Sequence, residues 1–367
     1  MTLTERLRRI GFAMLAPLIA VAIAMLATSL VIVLTNSGSG VSDFWRIIFT
    51  KPDNRIIINI VNQSGMIYLS AAAAAIGFRM GLFNIGVEGQ YTLASYVAAT
   101  FAGAALLPGF LNVFATLIVA IIVGALWAGI AGLLRTTRGV SEVISTIMLN
   151  AIAGILVGYL LDRYGIHGGN SVRTKNIPSS SHVPGWSPLG ADAGPIWGLT
   201  ILAVLVGIGF WVLLNRTRFG FDLRATGASQ TAAVASGIKV NRMVLASMLL
   251  SGGIAGLIWM PAFFGAAYSY GTTFQAGLGF TGIAVALLGR NQPVGMIFGA
   301  VLFAFLTAQS NSLTLLTDIS ASVVQITQGV AVLAVVIAYE LVRRYRIRIE
   351  QRAVAQAPAP TEAEVAA

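Results

Sequence analysis

The 367-residue chain contains no cysteine, two histidines and only 13 acidic residues. Without thiols it can form no disulfide, no Cys-ligated zinc site, no iron–sulfur cluster and no thiol nucleophile. His167 and His182 share one polar loop with no third ligand in sequence reach, so no metal site and no catalytic acid–base group is predicted from them. Charged residues make up 10% of the chain, against about 25% in soluble domains, while 57% of it is hydrophobic and the mean hydropathy is +0.84. A water-soluble enzyme is excluded. No G-x-x-x-x-G-K-[ST] occurs, so the chain holds no nucleotide in a P-loop. GLGFTG at 277–282 matches the dinucleotide fingerprint only in spelling, because it lies inside an apolar run with neither a preceding strand nor a later ribose acid.

What remains is a sequence of long apolar runs with 40 glycines. Each bilayer crossing needs about 20 mostly apolar residues that satisfy their own backbone, and these runs do not alternate as barrel strands would. The predicted fold class is therefore all-α, a polytopic integral membrane protein of about ten helices. Breaks at charged and Pro/Gly/Asn-rich positions place spans at 12–34, 55–78, 81–107, 111–134, 141–161, 196–214, 243–264, 272–289, 293–312 and 321–342. The first, behind Arg6, Arg8 and Arg9, is too long for a signal h-region and is read as uncleaved.

The formal net charge of +10 would suggest nucleic acid in a soluble protein. Here the position of the charges matters more. With a cytoplasmic N-terminus, 17 of the 23 basic residues fall inside, as the positive-inside rule requires. Both termini are predicted cytoplasmic, with membrane lipid rather than nucleic acid as the surrounding partner. Segments 35–54 and 163–195 lie outside, the first with a short surface helix around Phe44, Trp45, Ile47, Ile48 and Phe49. Segment 215–242 is the one long inner loop. The tail 346–367, rich in Pro, Ala and Glu, is predicted to be disordered.

Polar groups at membrane depth are costly and usually face a cavity or a partner. Glu88 sits in GLFNIGVEGQ, where Gly81, Gly86 and Gly89 disfavour a continuous helix and Asn84 and Gln90 supply amides. That is the pattern of a broken helix, in which Glu88 either lines a pathway or caps a half-helix. Asn59, Asn62 and Gln63 share one face of the second span, beside Ser64, and either line a channel or bond a neighbouring helix. Glu142, next to Arg138, fits an ion pair or a helix N-terminus. Gly154/Gly158 and Gly295/Gly299 have the spacing of close helix contacts.

GLFNIGVEGQ, TRGVSEVISTIMLNAIA (137–153), GASQTAAVASGIKVNR (227–242) and GFTGIAVALLGRNQPVG (279–295) together resemble the permease subunits of bacterial ABC importers. They resemble the branch for simple sugars, branched-chain amino acids and nucleosides, and nucleoside permeases above all. The resemblance covers nearly all of the chain except the first span, the outer loops and the tail. It implies a single permease domain over 1–345 in the bacterial inner membrane that does no catalysis and binds no cofactor. ATP would be bound by two cytoplasmic ATPase subunits; a second permease, identical or paralogous, and an extracytoplasmic binding protein would complete the assembly. The family's inner loop implies ATPase coupling through Gly227, Ala232, Ala233, Ser236, Gly237 and Ile238, although Ser229–Gln230 stands where many relatives have an asparagine. A nucleoside pathway would use Asn62, Gln63, Phe83, Asn84, Glu88, Gln90 and Tyr91, which combine aromatic faces with amides. A ribose-like sugar would suit the same residues, and a secondary transporter is a further alternative, for which only Glu88 and Glu142 could serve a coupling ion.

Overall fold

A computed structural model describes residues 19, 22–34, 40–169, 171–317 and 321–355. Most of these residues are helical. Among the described residues, six helical segments are long and apolar enough to cross a membrane: Asn54–Arg79, Gly109–Arg138, Glu142–Tyr164, Gly198–Arg216, Val240–Ala267 and Pro293–Ser310. The protein is a polytopic membrane protein. Among the described residues there are two compact units, Arg46–Ser312 and a smaller one formed by the residues up to Trp45 with those from Leu313.

In the smaller unit, α1 (Ala22–Leu34) is the described part of the first apolar run. Residues 1–18, 20 and 21 of the chain lie outside the described residues. Ala334 and Ala338 of α14 (Ala321–Ala355) form a buried cluster with Ile19, Ile23 and Ala24 packed on it. Because α14 continues to Ala355, a helix occupies the first ten positions of the stretch predicted to be disordered; 356–367 lie outside the description. The amphipathic pattern around Phe44 forms α2 (Val41–Ile48), whose residues from Arg46 belong to the larger unit.

The larger unit is built around α3 (Asn54–Arg79), which starts where the Asp53 side chain accepts from Ile56 N–H at 2.7 Å. It ends where Gly81, at φ +75°, turns the chain and Leu82 N–H returns to Gly77 O. Then come α4 (Val87–Ala104), α5 (Gly109–Arg138) and α6 (Glu142–Tyr164). After the 163–195 segment follow α7 (Ile201–Arg216), two short helices α8 (Arg218–Ala228) and α9 (Gln230–Ala235), and α10 (Val240–Gly256). A one-turn α11 (Met260–Ala262) and a π-turn (Phe263–Ala267) extend that apolar segment. The unit closes with α12 (Leu278–Leu288) and with α13 (Pro293–Leu316) as far as Ser312. Gln309 of α13 donates to the carbonyls of Ile47, Ile48 and Thr50 at the end of α2, each at 3.2 Å.

Two features depart from the sequence reading. The 163–195 segment, expected to be irregular in an all-α fold, contains an antiparallel pair of β1 (Ile166–Gly168) and β2 (Ser171–Arg173) and two short 3₁₀ turns. The run 272–289, expected to span, is helical only over the 11 residues of α12. At 1.5 Å per residue that is about 16 Å, roughly half of a hydrocarbon core of ~30 Å.

Of the two expected glycine pairs, Gly295/Gly299 packs closely, with a Cβ on Gly295 falling 2.4 Å from Gly289 O and one on Gly299 3.1 Å from Val285 Cγ1, but Gly154/Gly158 does not, and a further pair does. A Cβ on Gly154 or Gly158 would meet nothing within 4 Å, whereas one on Gly252 would lie 2.2 Å from Gly124 O and one on Gly256 2.0 Å from Ala120 O. The backbones of α5 and α10 touch there. Gly252→Val is expected to abolish folded, monodisperse protein in detergent, while Gly158→Val retains it. Size-exclusion chromatography with thermal unfolding decides this, and equal behaviour of the two variants would refute the packing assignment.

Candidate functional site

The connection from α3 to α4 carries the predicted broken helix. Asn84 is fully buried and pairs with Gln90: its Nδ2 donates to Gln90 Oε1 at 3.1 Å, and Gln90 Nε2 returns to Asn84 Oδ1 at 2.9 Å. Asn84 Nδ2 also donates to Ser251 Oγ (2.8 Å), whose hydroxyl donates to Ala73 O (2.6 Å). Asn150, a residue sequence reasoning passed over inside its motif, accepts from Gly89 N–H at 2.8 Å and donates to Ile85 O at 2.9 Å. Buried helix ends need such partners because the first N–H groups have none inside the helix. Asn84 and Gln90 thus knit the break together.

Glu88, in the first turn of α4, reaches across to a second helix start. Its Oε1 accepts from Gly277 N–H at 2.7 Å and its Oε2 from Gly279 N–H at 2.9 Å, at the beginning of α12. One carboxyl group therefore serves two helix N-termini, a setting worth up to about 2 kcal/mol to an anion in partly buried geometry. The carboxyl group thus caps the start of α12. Ser70 Oγ donates to Leu278 O at 2.8 Å. Nine residues before the end of α3, Ser70 lies roughly 13 Å from that end, so α12 begins part-way along the spanning helix α3. The spelling G-x-G-x-x-G acquires a structural meaning here. Gly277 has φ +90°, and a Cβ on Gly279 or Gly282 would come 2.4 Å from Glu88 N or 2.0 Å from Ser70 Oγ.

The loop held by this clamp presents side chains around Glu88. The Tyr91 hydroxyl donates to Gln275 O at 2.8 Å and lies 3.3 Å from Glu88 Oε1. Its ring stacks on Phe274 at 5.3 Å, and Phe274 in turn meets Tyr270 at 4.5 Å and Trp259 at 5.2 Å. Gln63 Nε2 donates to Gln275 Oε1 at 3.1 Å, leaving Gln63 Oε1 buried with no partner. Trp259, Tyr270, Phe274 and Gln275 were missed in the sequence, although the Gly-Thr-Thr-Phe-Gln interruption at 271–275 signals a break. Over this cluster lies the 163–195 segment. Thr174 N–H donates to Tyr270 O at 2.8 Å, Ile177 N–H to Tyr268 O at 3.0 Å, and the His182 ring stacks on Tyr268 at 3.7 Å. His182 is therefore half-buried rather than a solvated loop residue.

Other expected residues lie elsewhere. Asn62 is buried but faces the approach to α7, donating to Pro195 O at 3.0 Å and accepting from Trp197 N–H at 2.9 Å. Asn59 is exposed. Phe83 is half exposed and sits against Phe78 at the other end of α3. Glu142 begins α6 and pairs with Arg135 at 3.1 Å, not with Arg138.

The expected coupling residues divide by role. A Cβ on Gly227 would fall 2.2 Å from Arg79 O, so this glycine seats the end of α8 on the end of α3. Ala233 is buried, Ile238 is half-buried with its N–H on Ala233 O, and Gly237 turns the chain at φ +80°. Ala232, Val234 and Ser236 are exposed.

The sequence matches the profile described as branched-chain amino acid transport system / permease component over residues 56–338, and the chain belongs to that family. It is an ABC transporter permease, a transport component of the plasma membrane rather than an enzyme. It is 33% identical to the guanosine ABC transporter permease protein NupP of Bacillus subtilis, over 89% of this chain and 94% of that one. It shares 30% identity with the nucleoside ABC transporter permease protein NupB of Lactococcus lactis, over 71% and 73% of the two chains. It shares 31% with the glucose ABC transporter permease protein TsgB13 of Haloferax volcanii, over 77% and 76%.

Removing the Glu88 side chain strands two N–H groups, at about 1–3 kcal/mol each when buried. Glu88→Ala is expected to lower the unfolding temperature by several degrees and to abolish uptake, with Glu88→Asp intermediate because the shorter chain reaches one amide only. Wild-type melting and transport in Glu88→Ala would contradict the clamp.

Proposed function

We propose that the chain translocates nucleosides received from an extracytoplasmic binding protein. The observation that carries this reading is the cluster part-way along α3, where the Tyr91, Phe274, Tyr270 and Trp259 rings stand beside the Gln63 and Gln275 amides. Stacked rings suit a flat base, and the unpartnered Gln63 Oε1 accepts from a base N–H. Gln63, Glu88 and Tyr91 remain assigned to the pathway, with Glu88 acting through the loop it holds. Asn62, Asn84 and Gln90 support it from behind. A ribose-like sugar is the second reading, favoured by the same amides and by the similarity to a glucose permease.

In this account the chain crosses the membrane ten times, counting α12 as a half-span paired with the loop before it, and both termini face the cytoplasm. That places the Arg79 end of α3, the α7–α9 segment and the turn at Arg290 on the inside. Two ATPase subunits bind there and a second permease completes the pathway. The α8–α9 surface, with exposed Phe221, Ala232 and Val234, fills a groove on the ATPase. Gly227 passes its movement to the end of α3. Arg79 Nε, which donates to Asn291 O at 3.0 Å, ties the turn after α12 to the same point.

The test is uptake of labelled substrates by cells expressing the full transporter. Guanosine uptake that depends on the ATPase, resists competition by ribose and glucose, falls tenfold or more in Phe274→Ala and is lost in Val234→Glu is the expected result. Ribose uptake without nucleoside uptake would replace the substrate assignment; full transport in Val234→Glu would remove the coupling assignment.

A further inference from the structure

A second concavity lies away from the clamp, between α3, α7 and α13. Its volume is about 430 Å³ and its walls are almost wholly apolar, with Tyr68 on α3, Ala203, Gly207 and Trp211 on α7, and Ile297 and Val301 on α13. Thr200 and Gly65 line it side by side, and a Cβ on the glycine would lie 2.8 Å from Thr200 Cγ2. From Thr200 to Trp211 the groove follows eleven residues of helix, roughly 16 Å.

The Trp211 end is chemically different. Trp211 is 43% exposed there, and the Arg216 guanidinium lies over its ring at 5.7 Å. Arg216 and Arg218 are exposed and form no ion pair among the described residues. An amphipathic Trp beside basic groups marks a headgroup level, where each cation adds about 1 kcal/mol of attraction to an anionic surface.

We propose that this groove holds one acyl chain of an anionic phospholipid, with the lipid phosphate at Arg216 and the chain running along α7 toward Thr200. The bound tail fills the space between α7 and α3, the helix that carries Ser70 and Gln63 to the clamp. This site is independent of the substrate assignment.

The test uses the full-length chain, with its co-expressed subunits, in nanodiscs doped with phosphatidylglycerol carrying a diazirine in one acyl chain. A disc has no inside, so the readout does not depend on the topology proposed above. Photolabelled peptides are expected to concentrate on α7 and the first half of α13. Labelling should drop roughly five-fold in Arg216→Gln, the equivalent of one cation's attraction, and comparably in Val204→Trp, which fills the groove from an exposed position. Phosphatidylcholine with the same probe should label the groove weakly. Labels spread evenly over the lipid-exposed faces of α5 and α6 would overturn the proposal. So would equal labelling by the neutral lipid, or a crosslink from Val204→Cys to the chain's own first span.

Discussion

A helix that starts inside hydrocarbon exposes backbone N–H groups that water cannot reach, and the larger unit of this protein is organised around one solution to that constraint. Glu88 supplies two acceptor oxygens to Gly277 and Gly279 while standing in the first turn of its own helix. Leaving those groups unpaired would cost several kcal/mol in a membrane, comparable to much of a domain's net stability. Once α12 is capped, its position follows. Gly279 and Gly282 allow no side chain between α12 and its neighbours α4 and α3, and Ser70 fixes the Leu278 carbonyl.

The clamp gives the loop before α12 a defined shape and so positions Phe274 and Gln275. Tyr91 connects the loop to α4, Gln63 connects it to α3, and backbone bonds from Thr174 and Ile177 cover it from the 163–195 segment. Polar groups at depth here do two kinds of work. Asn84, Gln90, Asn150 and Ser251 satisfy the backbone and one another, while Gln63 keeps an acceptor without a partner.

Much of this was legible from residue order. Hydropathy and charge located the apolar segments because a bilayer imposes length on every crossing, and the glycines around Glu88 signalled a broken helix because glycine weakens helix continuity. The sequence left open whether Glu88 lines a pathway or caps a helix, since the answer lies 189 positions away at Gly277. Asn150 was hidden for the same reason: an asparagine within a helical pattern shows nothing of the helix end it serves. The G-x-x-x-G at Gly252 and Gly256 was indistinguishable from the unpartnered one at Gly154 and Gly158, because spacing reports which residues share a face and not what that face meets. Half-helix α12 resembles part of a longer span because the six residues before it in that run, 272–277, carry no charge to mark where the helix begins.

Amide hydrogen exchange at Gly277 and Gly279, in wild type and in Glu88→Ala, measures the clamp directly. Strong protection in wild type that is lost at both amides in the variant, while the Gly252 region of α10 stays protected, is what a carboxyl cap on α12 predicts. Unchanged protection at Gly277 and Gly279 after removal of the carboxyl group would contradict it.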